Sequence, residues 1–139
     1  MSILQKWAEA IDSLNEQEMN DCLHDDYKFT LHSAGKVLSK SDVIDWGMSG
    51  DIKRDNVRIL FENDEVGVEH AVVSFKDGNR QGVLAFLTYK DGKIYTTETG
   101  ASNLHSRQQA TGASHLQVPY ILPLFALAFL HTRRKQYQK

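Results

Sequence analysis

Three runs decide the fold of this chain: Val66-Gly67-Val68-Glu69-His70-Ala71-Val72-Val73-Ser74-Phe75, Gly82-Val83-Leu84-Ala85-Phe86-Leu87-Thr88-Tyr89 and Lys93-Ile94-Tyr95-Thr96-Thr97-Glu98-Thr99-Gly100-Ala101. Asp77-Gly78-Asn79 and Asp91-Gly92 separate them, and Asp-Gly between such runs is the strongest short-range hairpin signal. A further strand, residues 57–61, precedes them across Asn63-Asp64. The expectation is an antiparallel meander of four strands.

The middle strands also say something about assembly. Ala71-Val72-Val73 and Val83-Leu84-Ala85-Phe86-Leu87 are apolar at every position, where a strand with one wet face would alternate. Both faces must leave water, and helices cover only one. A second copy of the same sheet is the simplest cover for the other, so a homodimer through the outer sheet face is expected. Burying Leu84 and Phe86 there would contribute roughly 3–6 kcal/mol. The C-terminal segment, folded back over the sheet, is the alternative cover.

Toward the N-terminus the period becomes helical. Leu4, Trp7, Ala8, Ile11 and Leu14 share one stripe, with Ser2 and Gln5 as a capping box. Asn15 and Glu18 repeat that signal before Met19, Cys22 and Leu23, so two helices are expected, about residues 3–14 and 16–23. Tyr27, Phe29 and Leu31 then alternate with Lys28, Thr30 and His32, which marks a strand. Ser33-Ala34-Gly35-Lys36 turns the chain into a short return strand at Val37-Leu38. A third helix over residues 41–48, opened by Ser39 or Ser41, carries Val43, Ile44 and Trp46, and Gly47 and Gly50 end it.

The chain has 139 residues, 41% of them hydrophobic and 24% charged, which suits one ordinary domain, or a small one with an extension. A net charge of -2 gives no reason to expect nucleic-acid binding. The single cysteine, Cys22, excludes an internal disulfide and fits a reducing compartment, so a cytoplasmic protein is expected. Met1-Ser2-Ile3-Leu4 meets Gln5-Lys6 before any signal-peptide core develops.

Charge is unevenly spread. Residues 1–102 hold all 18 acidic and 11 of the 16 basic residues, whereas residues 103–139 hold both prolines and no acid. A compact domain over 1–102 and an extension over 103–139 follow. In the extension, residues 103–117 read as a linker, residues 118–130 are almost wholly apolar, and His131-Thr132-Arg133-Arg134-Lys135 is basic. A helix of that apolar length spans about 20 Å, short of the ~30 Å hydrocarbon core, so no membrane anchor is expected. Packing of Leu122, Phe125 and Phe129 against apolar surface is favoured over an interfacial membrane segment or a sequence foreign to the fold.

Two helices, a strand, a short return strand, a third helix and a long meander form a particular order. It resembles the nuclear transport factor 2-like superfamily, which includes ketosteroid isomerase, SnoaL-type polyketide cyclases and scytalone dehydratase. Leu23-His24-Asp25-Asp26-Tyr27-Lys28-Phe29, then Gly35-Lys36 and Lys40-Ser41-Asp42-Val43-Ile44, look like the region after the second helix in that superfamily. The resemblance covers residues 3–102. It implies an α+β fold in which a cone-shaped, curved antiparallel sheet wraps three N-terminal helices and leaves an apolar pocket. Trp7, Ile11, Phe29, Leu31, Trp46, Val73, Ala85 and Leu87 would line that pocket, which would take a small apolar molecule without a cofactor. The two acidic positions of ketosteroid isomerase fall at about Leu31 and Ala85. Neither can move a proton, which argues against steroid isomerisation unless the register shifts by one and His32 becomes the base.

His32 is therefore the candidate catalytic residue, since a histidine can serve as a general base at neutral pH. Strand parity nevertheless puts it on the polar face with Lys28 and Thr30. His70 reads as a core or interface histidine and His24 as a helix-end residue. Glu69 and Glu98 become acid–base candidates only if they face the cavity, where burial raises a carboxyl pKa; the plainer reading pairs each with Lys or Arg on a neighbouring strand. No metal-ligand spacing, dinucleotide fingerprint, phosphate loop or nucleophile elbow is present in the sequence. Two functions follow: a cofactor-free isomerase, dehydratase or cyclase acting on an apolar ligand, or a non-catalytic ligand-binding or dimerisation module.

Overall fold

A computed structural model of the chain describes residues 1–105. The expectations for the apolar and basic parts of the extension lie outside the described residues. In chain order the elements are α1 (Ile3–Asp12), α2 (Glu16–Cys22), β1 (Leu23–Leu31), a 3₁₀ turn (His32–Ala34), β2 (Lys36–Ser39), α3 (Lys40–Met48), β3 (Ile52–Glu62), β4 (Val66–Phe75), β5 (Arg80–Lys90) and β6 (Lys93–Asn103). Among the described residues no helix is long and apolar enough to cross a membrane.

Local chemistry sets the helix boundaries. Gln5 N–H donates to Ser2 Oγ (3.1 Å) and Ser2 N–H to Gln5 Oε1 (2.9 Å), closing the capping box of α1. Leu14, at φ 53, makes the bend into α2, whose first turn is held by Glu18 N–H donating to Asn15 Oδ1 (3.2 Å). Ser39 caps α3, and Asp42 closes a second capping box there.

One sheet holds the six strands in the order β2-β1-β6-β5-β4-β3. The β3–β6 meander is antiparallel, as its hairpin signals imply. One pairing refines the expected architecture: β1 lies parallel to β6, so the sheet is mixed. Hairpin signals report only neighbours in sequence, and this pair joins strands separated by most of the domain. Strand β6 also runs to Asn103, and Leu104 N–H still donates to the Arg80 carbonyl (2.9 Å), past the expected end at residue 102.

Strand β3 begins at Ile52 rather than Val57. Its pairing with β4 slips between Asp55 and Arg58 and again between Ile59 and Phe61, and Asn56 takes φ 51 within the first slip. Bulges of this kind increase local twist and bend a strand, and here they occur in the edge strand of the meander.

The helices pack on the concave face. Leu4, Met19, Leu23, Leu87 and Ile94 are fully buried and join α1, α2, β1, β5 and β6 in one cluster. At about 1.5–3 kcal/mol per large apolar side chain, this cluster is the main stabilising term. Burial alternates strictly along Val66–Ser74 of β4: Glu69, Ala71 and Val73 face inward, and Val68, His70 and Val72 face out.

Candidate functional site

The sheet curves over α1 and α3 but the side chains between them do not fill the space. A hollow of about 120 Å³ remains, close in size to an engineered cavity of about 150 Å³ that accepts benzene. Trp7 and Ile11 of α1, Phe29 and Leu31 of β1, Trp46 of α3, Val73 of β4, and Ala85 and Leu87 of β5 all line it. Trp46 holds one wall. Its ring stacks on Phe75 (centroids 6.5 Å apart, planes at 13°) and tilts against Phe29 at 6.3 Å, while Nε1–H donates to Asp51 Oδ2 (3.3 Å).

Arg54 and Glu69 are the charged residues in the lining. Arg54 Nη2 donates to Glu69 Oε1 (2.5 Å), and the side chains are only 7% and 8% exposed. Arg54 Nη1 and Glu69 Oε2, both buried, have no protein partner, and neither does Thr99 Oγ1 nearby in the lining. Water-exclusion raises the Glu69 carboxyl above its ordinary pKa; the Arg54 charge and hydrogen bond oppose this, and Glu62 adds to the rise. Tyr27, also in the lining, donates its hydroxyl to Thr97 Oγ1 (2.8 Å). Burial raises the Tyr27 phenol, so it stays protonated at neutral pH.

Chemically, this is a mostly apolar chamber with one charged donor–acceptor couple and a few uncharged polar groups from Tyr27, Gln81, Thr97 and Thr99. A buried ion pair is weak evidence for stability, because desolvation offsets much of the attraction. Two unpartnered buried atoms add to that cost. The couple is therefore a costly arrangement for a structural clasp alone.

The sequence-based candidate base stands elsewhere. His32 lies in the turn after β1, with its side chain 57% exposed, and Nε2 sits 2.6 Å from Glu98 Oε1. It does not line the hollow, because strand β1 ends at Leu31 and the chain turns outward. Glu98 lies opposite Phe86 in the sheet, which puts it on the outer face with His32. His70 also faces outward, opposite Leu84 and Arg58, and His24 contacts Asp91 (3.3 Å) and the Tyr95 ring (5.2 Å). Among the described residues no three His, Cys, Asp or Glu stand together as a metal site.

Sequence reasoning passed over Arg54, and gave Glu69 second place. Arg54 lies before the expected start of its strand, and two bulges set which β3 residue pairs with Val73. The available signal was the odd-numbered parity of Glu69, Ala71 and Val73, which puts the glutamate on the face of two apolar neighbours.

No family model matches the sequence, and no curated protein does. The three-dimensional arrangement does match solved structures. One is a Kribbella flavida protein provisionally named a ketosteroid isomerase, with a TM-score of 0.63 at 16% identity, covering 75% of this chain and 78% of that one. A nuclear transport factor 2-like protein of unknown function from Cytophaga hutchinsonii gives 0.63 at 10% identity, over 72% and 87%. Wild-type IdmH from Streptomyces antibioticus, provisionally named a polyketide cyclase, gives 0.58 at 14% identity, over 72% and 89%. The chain has the nuclear transport factor 2-like, ketosteroid isomerase-like α+β fold.

Proposed function

We propose that this chain binds a small, mostly apolar molecule in the hollow and that Glu69 acts there as the proton-transfer group of a cofactor-free isomerisation, dehydration or cyclisation. The carrying observation is the buried Arg54–Glu69 couple, with one atom of each side chain unpartnered, as the only charged pair among the described residues in the lining of a mostly apolar chamber. A carboxyl with a raised pKa is better matched to proton transfer near neutrality than an ordinary one. Glu69 Oε2 would take a proton from carbon beside a substrate carbonyl, the electron pair would move to the carbonyl oxygen, and Arg54 Nη1 would stabilise the oxyanion. Return of the proton to another carbon completes an isomerisation.

Methyl NMR with cyclohexanone in deuterated solvent tests this. Binding shifts the methyl signals of Val73 and Leu87, and catalysis speeds deuterium entry beside the ketone; Glu69→Gln keeps the shifts and loses the exchange. Absence of methyl shifts overturns the binding site. Shifts without exchange leave the alternative, a non-catalytic ligand-binding module, and His32 then has no proton-transfer role here either.

A homodimer through the outer sheet face is the proposed assembly. Leu84 and Phe86 are 49% and 45% exposed on that face. Arg58 lies on its β3 side and Glu98 on β6, so a two-fold axis along the strands would bring unlike charges together. The cytoplasm is the proposed setting, supported by the lone unpaired Cys22.

A further inference from the structure

The unpartnered atoms of the hollow form a complementary set. Arg54 Nη1 offers a hydrogen-bond donor, Glu69 Oε2 an acceptor, and Thr99 Oγ1 either one. All three atoms are buried in residues that line the same small chamber. The rest of the lining is mostly apolar, with Tyr27, Thr97 and Gln81 as its other polar side chains, so a ligand head seated against the pair would supply the missing partners. The pair is internally neutral, because each charge faces the other at 2.5 Å.

That arrangement discriminates by charge as well as by shape. A carboxylate could satisfy Arg54 Nη1 with one oxygen, but its other oxygen would face Glu69 Oε2, acceptor against acceptor and negative against negative, where little water screens them. An ammonium would satisfy Glu69 and confront Arg54. An uncharged head carrying a carbonyl next to an N–H or O–H meets both: the carbonyl oxygen accepts from Arg54 and the N–H or O–H donates to Glu69.

We infer that the hollow selects neutral ligands in which a donor–acceptor head, of the carboxamide or hydroxy-ketone type, is carried on an apolar body about one ring in size, and that it excludes the matching carboxylates. This rests on the hollow being a ligand site, as proposed above. The size limit follows from the 120 Å³ volume, and Trp46, Phe29 and Phe75 supply flat apolar surface for a ring.

Titrating the full chain at neutral pH with toluene, benzamide and benzoate, followed by the methyl signals of Val73 and Leu87, tests it. Benzamide is expected to bind at least about tenfold more tightly than either of the others, a difference of about 1.4 kcal/mol. In Glu69→Gln, which leaves the hollow with a net positive charge, benzoate should gain on benzamide by a similar factor. If toluene binds and benzamide binds no better, or benzoate matches benzamide, the selectivity is wrong while the ligand site stands. If none of the three binds, the ligand site itself is wrong. The wild-type comparison needs no variant, so a poorly folded Glu69→Gln protein leaves the test intact.

Discussion

Arg54 and Glu69 lie on adjacent strands, meet inside the hollow, and each keep one buried polar atom without a protein partner. The pair draws its importance from its setting. On a wet surface it would be worth little; in this chamber each charge depends on the other for compensation.

Removing one partner should therefore be far worse than removing both. Arg54→Met leaves Glu69 buried and uncompensated and should cost about 3–5 kcal/mol, whereas Arg54→Met with Glu69→Leu should be close to neutral or stabilising. Urea unfolding of the wild type and the two variants measures both. A double variant no more stable than Arg54→Met would overturn the expectation that the uncompensated Glu69 charge is what makes the single change costly.

The raised Glu69 pKa gives stability a definite pH slope. The folded state holds this proton more tightly than the unfolded chain, whose carboxyl titrates at its ordinary value near 4.5. The contribution is fully present below that value and is lost as pH rises through the raised folded-state value. Relative to Glu69→Gln, which does not titrate, the wild type should thus lose stability on going from pH 4 toward neutrality. Denaturant midpoints taken along that interval read the difference directly, and a difference that grew with pH would contradict it.

Gly67 of β4 lies against Leu4 of α1 and Tyr89 of β5. A Cβ there would collide with the Tyr89 hydroxyl and come within 2.8 Å of Leu4 Cδ1. Tyr89 cannot simply move, since its hydroxyl donates to Glu62 Oε1 (2.9 Å), which also accepts from Leu4 N–H (3.2 Å). Gly67→Ala should destabilise by about 1–3 kcal/mol, whereas Gly100→Ala, with nothing within 4 Å of its Cβ, should change stability far less. Thermal melts of the two variants make the comparison.

The outer face supplies the test of assembly. Leu84→Glu, at a half-exposed position, should leave the far-ultraviolet spectrum unchanged and shift the sedimentation mass from two chains to one. A wild-type mass of one chain would end the dimer proposal.

Much of this architecture is legible in the residue order. Helical stripes, Asp-Gly turns and two-residue alternation depend on contacts between near neighbours, so they survive in a one-dimensional reading. The resemblance to the nuclear transport factor 2-like superfamily, not the periodicity, implies Trp7, Ile11, Phe29, Leu31, Trp46, Val73, Ala85 and Leu87 as lining, and all eight stand in the wall of the hollow. His32 shows the limit. Its chemistry suits a base, but parity and the turn after Leu31 aim it outward to Glu98.

What the chain alone determined, then, is three amphipathic helices and an antiparallel meander, because periodicity and turn chemistry are local; the curved sheet over the helices and its apolar inner face are implied by the family resemblance. Only the tertiary structure decided which polar groups enter that interior. Bulges in β3 choose the residue opposite Val73, and with it they bring the Arg54 guanidinium to Glu69. A bulge changes strand pairing by a single residue, and no composition or spacing rule in the sequence records where that slip occurs.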